Sequence, residues 1–364
     1  MYRLLAPILI LAALLVAPTA SAVAAALPAP PGMPPKGKVL LGVGGHELTP
    51  TTFDRMTGAK HDIHLVSVNW NESREGGWAW ALDSKVRDAR KGGYRLMIHI
   101  APNTNAGTEG RSPGAVARGL ADRYLISFGQ YVNATGEYVY VRPPAEMNGH
   151  WSLWAAYNRN GSKRNADHST TNYRRAFIRM ALISRGGEVA KINASLRRNG
   201  MPPLNTSATN LTSSGKISTV FNPQARGAPD VRGNQPWDYY PGKYVVDYVA
   251  NDLYVQRGKA AWAAHDALYK KYAPTHPFMV AEYAPWGYDD PAFVKRMFQW
   301  VAARPRTVAL MYFNGTGKNT FFLSKKPRSL AMYKSHAKAA RYSCPGITAT
   351  WHLCTAEPAQ TVTD

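Results

Sequence analysis

Eight short runs rich in apolar and β-branched residues recur along the chain, and longer stretches with apolar residues every three or four positions lie between most of them. The runs are Val39 to Val43, Ile63 to Val68, Tyr94 to Ile100, Tyr138 to Val141, Ser218 to Phe221, Val245 to Leu253, Phe278 to Ala281 and Thr307 to Phe313. The stretches between them include Trp80 to Lys91, Val116 to Phe128, Tyr173 to Ser184, Ala260 to Tyr272, Pro291 to Ala303 and Leu330 to Tyr342. The first pattern reads as buried strands and the second as amphipathic helices. Pro291 stands where a first-turn proline is tolerated, behind Asp289 and Asp290 as candidate caps. Strand and helix in alternation imply a parallel sheet with crossover helices, and eight units favour a closed (β/α)8 TIM barrel over a doubly wound open sheet. The open sheet also lacks support from a dinucleotide fingerprint. Gly42-Val43-Gly44-Gly45 runs into His46-Glu47, with no helix carrying a third glycine.

Composition agrees with one large unit. With 45% hydrophobic and 18% charged residues, the 364-residue chain has material for an extensive core and is not a disordered polymer. Two cysteines exclude a disulfide-framework miniprotein and a Cys-rich zinc module. Met1 to Arg3 is a basic start, and Leu4 to Val16 is an apolar core of signal-peptide length, too short for a membrane span. Residues 1–24 are therefore expected to be a signal peptide, 25–38 a Pro- and Ala-rich tether, 39–342 the barrel and 343–364 a tail. The protein is expected to be secreted and monomeric, without a membrane anchor. In an oxidising compartment Cys344 and Cys354 are expected to pair and pin that tail. The chain carries 21 more Lys and Arg than Asp and Glu, and cleavage of the leader removes only Arg3. The basic residues are dispersed pairs, such as Arg174-Arg175 and Lys325-Lys326, with no nucleic-acid module. They read as a surface property, suited to electrostatic association with an anionic cell wall.

In a barrel the chemistry lies where strands run into the loops that follow them. After the fourth run come Arg142-Pro143-Pro144-Ala145-Glu146-Met147-Asn148-Gly149-His150-Trp151, and the seventh continues into Glu282-Tyr283-Ala284-Pro285-Trp286. One glutamate at each of two strand ends is the pair that glycoside hydrolysis needs, one carboxyl to protonate the leaving oxygen and one to attack or to activate water. Trp151, Trp154 and Trp286 offer flat faces on which sugar rings stack. His61-x-x-His64 lacks the i, i+4 spacing of a zinc protease, and there is no Gly-x-Ser-x-Gly elbow. Neither metal nor cofactor is expected.

The stretch from Arg142 to Trp151 resembles the Arg-Pro-x-His-Glu-Met-Asn-Gly-x-Trp signature of glycoside hydrolase family 26, best known for secreted β-mannanases. Tyr239 to Tyr248 resembles the family's run into strand six, Asp252-Leu253-Tyr254 its end, and Phe53 to Gly58 its early Phe-x-x-x-Thr-Gly. The resemblance covers Val39 to Tyr342. It implies Glu146 as general acid/base and Glu282 as nucleophile of a retaining double displacement. It also implies Tyr254 as hydrogen-bond partner of the nucleophile, Trp151 as a sugar contact and an aromatic floor at the end of strand eight, for which Tyr312 is the candidate beside Phe313 and Asn314. Arg142 either orients Glu146 or forms a buried pair.

One position departs from the signature. Ala145 stands where the family has histidine, a substrate contact, and His46 or His99 is the candidate substitute near the ends of strands one and three. The expected activity is an endo-β-glycanase on β-1,4-mannan or glucomannan. The alternatives are a β-glucan, xylan or acidic polysaccharide as substrate, or a non-catalytic polysaccharide-binding barrel.

Overall fold

The computed structural model describes residues 29–45, 48–72, 77–315 and 320–342. Eight parallel strands close into a barrel: β1 (Leu40–Gly44), β2 (Ile63–Asn69), β3 (Arg95–Ala101), β4 (Val139–Arg142), β5 (Ile217–Phe221), β6 (Tyr248–Val255), β7 (Phe278–Pro285) and β8 (Thr307–Phe313). Closure runs through β1 and β8, with Leu40 opposite Ala309 and Gly44 opposite Phe313. Around the barrel lie α1 (Pro50–Thr57), α2 (Gly77–Gly92), α3 (Pro113–Ala117), α4 (Asp122–Ala134), α5 (Thr170–Arg185), α6 (Val189–Arg198), α7 (Trp262–Tyr272), α8 (Pro291–Ala302) and α9 (Pro327–Ala337). The expected (β/α)8 barrel is the fold. The expected signal peptide and the tail with Cys344 and Cys354 lie outside the described residues.

Three local differences have physical causes. The stretch expected as one helix from Val116 to Phe128 is two helices, because Gly119 adopts φ 86° between them and a Cβ there would meet the Arg179 guanidinium. Arg179 in turn makes a bidentate buried pair with Asp122, the first residue of α4. Between β5 and β6 no α-helix forms, and residues 222–247, rich in Pro, Gly and Asn, carry only the 3-10 turn Pro236–Asp238. The two candidate caps also divide their work. Asp290 accepts from Phe293 N at the start of α8, whereas Asp289 accepts from Arg328 N and Ser329 N at the start of α9.

Strand side chains alternate between two buried layers. Leu41, Val43, Val66, Ile98, Val141 and Leu310 face the helices, while Leu40, Leu65, Met97, Tyr140, Val220, Ala250, Met279 and Met311 fill the barrel interior. Both faces are apolar because both are covered, which is why the runs read as continuous rather than alternating. The lower mouth is stoppered by residues 29–38, the described part of the expected tether. Gly32 O accepts from Arg95 Nη1 at 2.7 Å and Tyr140 OH at 2.6 Å, and Pro31 O accepts from Ser218 Oγ at 2.7 Å and Tyr248 OH at 2.9 Å. A chain beginning at Lys36 would leave these buried donors to whatever water reaches them. We expect it to lose about 2–4 kcal/mol of stability and to melt on the order of 5–10 °C lower by calorimetry, with the upper cleft intact.

Candidate active site

β4 delivers Arg142 and then Pro143-Pro144-Ala145 into a turn at Glu146. Glu146 takes a left-handed backbone conformation, φ 53°, which costs a non-glycine residue about 1–2 kcal/mol. Two hydrogen bonds hold it there, from Glu146 N to Asn222 O at 2.8 Å and from Gly149 N to Glu146 O at 2.8 Å. Strain maintained by surrounding bonds at a strand end marks a position kept for its side chain. The carboxyl accepts from Trp151 Nε1 at 2.7 Å on one oxygen and from the Gln224 amide on the other. Burial, and after it the charge of Glu282, pushes its pKa above the ordinary carboxyl value.

Glu282 reaches the interior through a bulge. Met279 and Ala281 face the barrel interior, so plain alternation would turn Glu282 toward the helices. The pairing register of β7 slips against both neighbours, between Asn251 and Asp252 on β6 and between Leu310 and Tyr312 on β8. The extra residue turns Glu282 into the cleft, as bulges beside active sites do. There it accepts from Tyr254 OH at 2.5 Å and Arg142 Nη1 at 2.6 Å.

Arg142 is buried and bridges two carboxyls, because its Nη2 donates to Asp252 Oδ2 at 2.8 Å. Burial alone would lower its pKa, but Asp252 and Glu282 outweigh that and raise it. Of the two roles expected for Arg142, the buried pair is the one observed. Asp252 also accepts from Asn222 Nδ2 at 3.1 Å on the oxygen that meets Arg142, and its other oxygen, Oδ1, is buried without a hydrogen-bond partner. Burial raises its pKa against the pull of Arg142.

These residues line an open cleft of about 1200 Å³ at the upper mouth. Trp151, 52% exposed, stands on the Glu146 side, and Trp286, 45% exposed, packs edge-on to Tyr254 and Phe321 on the Glu282 side. His99 lines the cleft beside Arg142; burial, then the Arg142 charge, pulls its pKa down to about 3, so it is neutral at any working pH. The structure thus brings together Glu146, Glu282, Arg142, Trp151, Tyr254 and Trp286. His46 lies outside the described residues. Two expectations are corrected. Tyr312 faces outward into the core with Leu310, packs on Phe53, Tyr283 and Tyr333, and donates to Phe321 O at 3.1 Å, so Phe313 supplies the aromatic surface in the cleft. Trp154 is fully buried against Trp70 and Tyr173, its Nε1 spent on Arg111 O, and offers no sugar platform.

Sequence reading missed Asp252, Asn222 and Gln224 as site residues. Asp252 carries a usable signal, since it sits two residues before Tyr254 on one strand and must share its face. Asn222 and Gln224 follow β5 in an irregular loop and carry none. Among the described residues no cluster of His, Cys, Asp and Glu is arranged to hold a metal ion, and no helix is long and apolar enough to cross a membrane.

No family model matches the chain. Endoglucanase H of Acetivibrio thermocellus is 24% identical over 312 residues, and the match takes in 82% of this chain but only 30% of that protein's length. Among solved structures, the catalytic domain of a family 26 endo-β-1,4-mannanase from Bacillus sp. JAMB-750 superposes with a TM-score of 0.54 at 13% identity, covering 84% of this chain and 86% of that one. A family 26 β-mannanase from Bacteroides ovatus gives 0.52 at 16%, covering 84% and 90%. The Bacillus subtilis mannanase BCman gives 0.51 at 18%, covering 83% and 86%. The resemblance to glycoside hydrolase family 26 carried by Arg142 to Trp151 therefore extends to the whole barrel fold.

Proposed function

We propose that this chain is a glycoside hydrolase, an endo-β-glycanase that cleaves β-1,4-mannosidic bonds in mannan or glucomannan with retention. The observation that carries the reading is the placing of Glu146 and Glu282 on one cleft in opposite surroundings. Glu146, half-buried in the cleft wall, has a raised pKa, the condition for a group that must arrive protonated. Glu282 is aimed by Tyr254 and Arg142. In the first step a Glu282 oxygen attacks the anomeric carbon, the bond to the glycosidic oxygen breaks, and Glu146 gives that oxygen its proton. In the second, water attacks the same carbon, Glu146 takes a proton from it, and the bond to Glu282 breaks. Trp151 and Trp286 flank the point of cleavage and hold sugar rings by stacking. The likeness to both mannanases and an endoglucanase supports a β-linked glycan substrate.

The test is reducing-sugar release from mannan, glucomannan, xylan, mixed-linkage glucan and alginate, with product anomers followed by proton NMR. We expect release from mannan or glucomannan, with the β-anomer formed first. Binding without release from any polymer would make the protein a polysaccharide-binding barrel, and an α-anomer formed first would overturn retention. In the same reading the protein is secreted, acts as a monomer without cofactor, and uses its charge surplus to stay on anionic cell walls. That part requires retention on a polyanionic matrix to vanish with added salt while turnover of a neutral glycan is unaffected.

A further inference from the structure

The loops after β4 and β5 are laced together around Glu146. Glu146 N donates to Asn222 O on the β5 side, and the Asn148 side chain grips Gln224 in return. Asn148 Oδ1 accepts from Gln224 N at 2.8 Å, and its Nδ2 donates to Gln224 O at 2.9 Å. Asn148 is itself fully buried, with its carbonyl accepting from Ala228 N at 2.8 Å and Asn234 Nδ2 at 3.0 Å. The main chain of Gln224 is thereby fixed at both its donor and its acceptor, and its amide N–H is directed onto Glu146 Oε1.

We propose that Gln224, clamped by Asn148, is a positioning residue that holds the Glu146 carboxyl in its working orientation. The inference rests on the glycosidase reading of Glu146, and its test is separable from it. Glu146 has two donors, Trp151 and Gln224, one on each oxygen. Trp151 lies half in solvent at the cleft wall, where a substrate ring would press on it. Gln224 is the donor whose backbone is held on both sides, so it keeps the carboxyl from swinging when Trp151 moves with substrate. Ala145 brings no polar group of its own to this wall, which leaves the task to the β5 loop.

An N–H donated to a carboxyl stabilises its charged form, so removing the donor makes the carboxyl keep its proton to higher pH. Gln224→Met preserves length and volume without the amide, at a partly exposed loop position where misfolding is not expected. In the full chain, the Glu146 carboxyl followed by carbon-13 NMR, and assigned by its absence in Glu146→Gln, is expected to titrate about one pH unit higher in the variant. With β-1,4-mannan oligosaccharides, the alkaline limb of kcat/KM should move up by the same amount, while the plateau falls about tenfold. Equal carboxyl titration in wild type and Gln224→Met would overturn the proposal, and an unmoved alkaline limb would do the same even if the plateau fell. The NMR titration needs no turnover, so a chain that cleaves no glycan would refute the glycosidase reading and still decide the role of Gln224.

Discussion

Glu282→Ala is expected to lower kcat/KM on the glycan that wild type cleaves by at least about 10⁴-fold, because removing a nucleophile leaves only binding and proton transfer. Folding should survive the change. The Glu282 side chain is 15% exposed at the cleft floor, and truncating it leaves Arg142 still paired with Asp252. The diagnostic is therefore activity lost with the melting temperature kept. Residual activity equal to wild type would remove Glu282 from the mechanism and, with it, the meaning of the bulge that turns it inward. The same variant should titrate differently at its partner. The Glu282 charge is one reason the Glu146 pKa is raised, so in its absence Glu146 should lose its proton at lower pH.

The second large effect falls on stability. Arg142→Met removes the only arginine among the described residues that pairs with Asp252 and Glu282, and leaves two carboxyls facing each other beneath the cleft. Removing one partner of a buried ion pair typically costs about 3–5 kcal/mol, since the surviving charge stays desolvated and uncompensated. We expect a loss of that size at pH 7, read from the urea midpoint, together with loss of turnover. The sign of its pH dependence follows. Burial raises the Asp252 pKa and Arg142 pulls it down, so without Arg142 the folded chain binds the Asp252 proton more readily than the unfolded one, and the destabilisation should shrink as pH falls. Asp252→Asn in the same chain should recover part of the loss. An unchanged midpoint in Arg142→Met would mean that Arg142 does not bear the charge balance of the site.

The two glutamates were legible because they end apolar runs, where a barrel exposes its chemistry, and because Trp151 lies near enough in sequence to Glu146 to reach it through one turn. Tyr254 was legible through its motif. The direction in which each side chain points was not. Both faces of every barrel strand are buried, so Thr307 to Phe313 shows no polar side to indicate that Met311 and Phe313 face inward and Tyr312 outward. Plain alternation from Met279 and Ala281 gives the wrong face for Glu282, and only the bulge in β7 corrects it. Asn222 and Gln224 were illegible for a different reason. They belong to an irregular loop, and their contacts with Glu146 and Asp252 span 30 to 78 positions of sequence.

By itself the sequence determined the number and order of the barrel strands and which two strand ends carry the paired glutamates. Those properties follow from local hydrophobic periodicity and from residue type, which need no partner to be read. The tertiary structure decided which oxygen meets which donor. It sets Arg142 between Glu282 and Asp252, turns Glu282 inward, sends Tyr312 into the outer core, and brings Gln224 onto Glu146. Each of these depends on pairing register and on loops meeting across the barrel mouth, and a shift of one residue in register reverses the face of every side chain that follows.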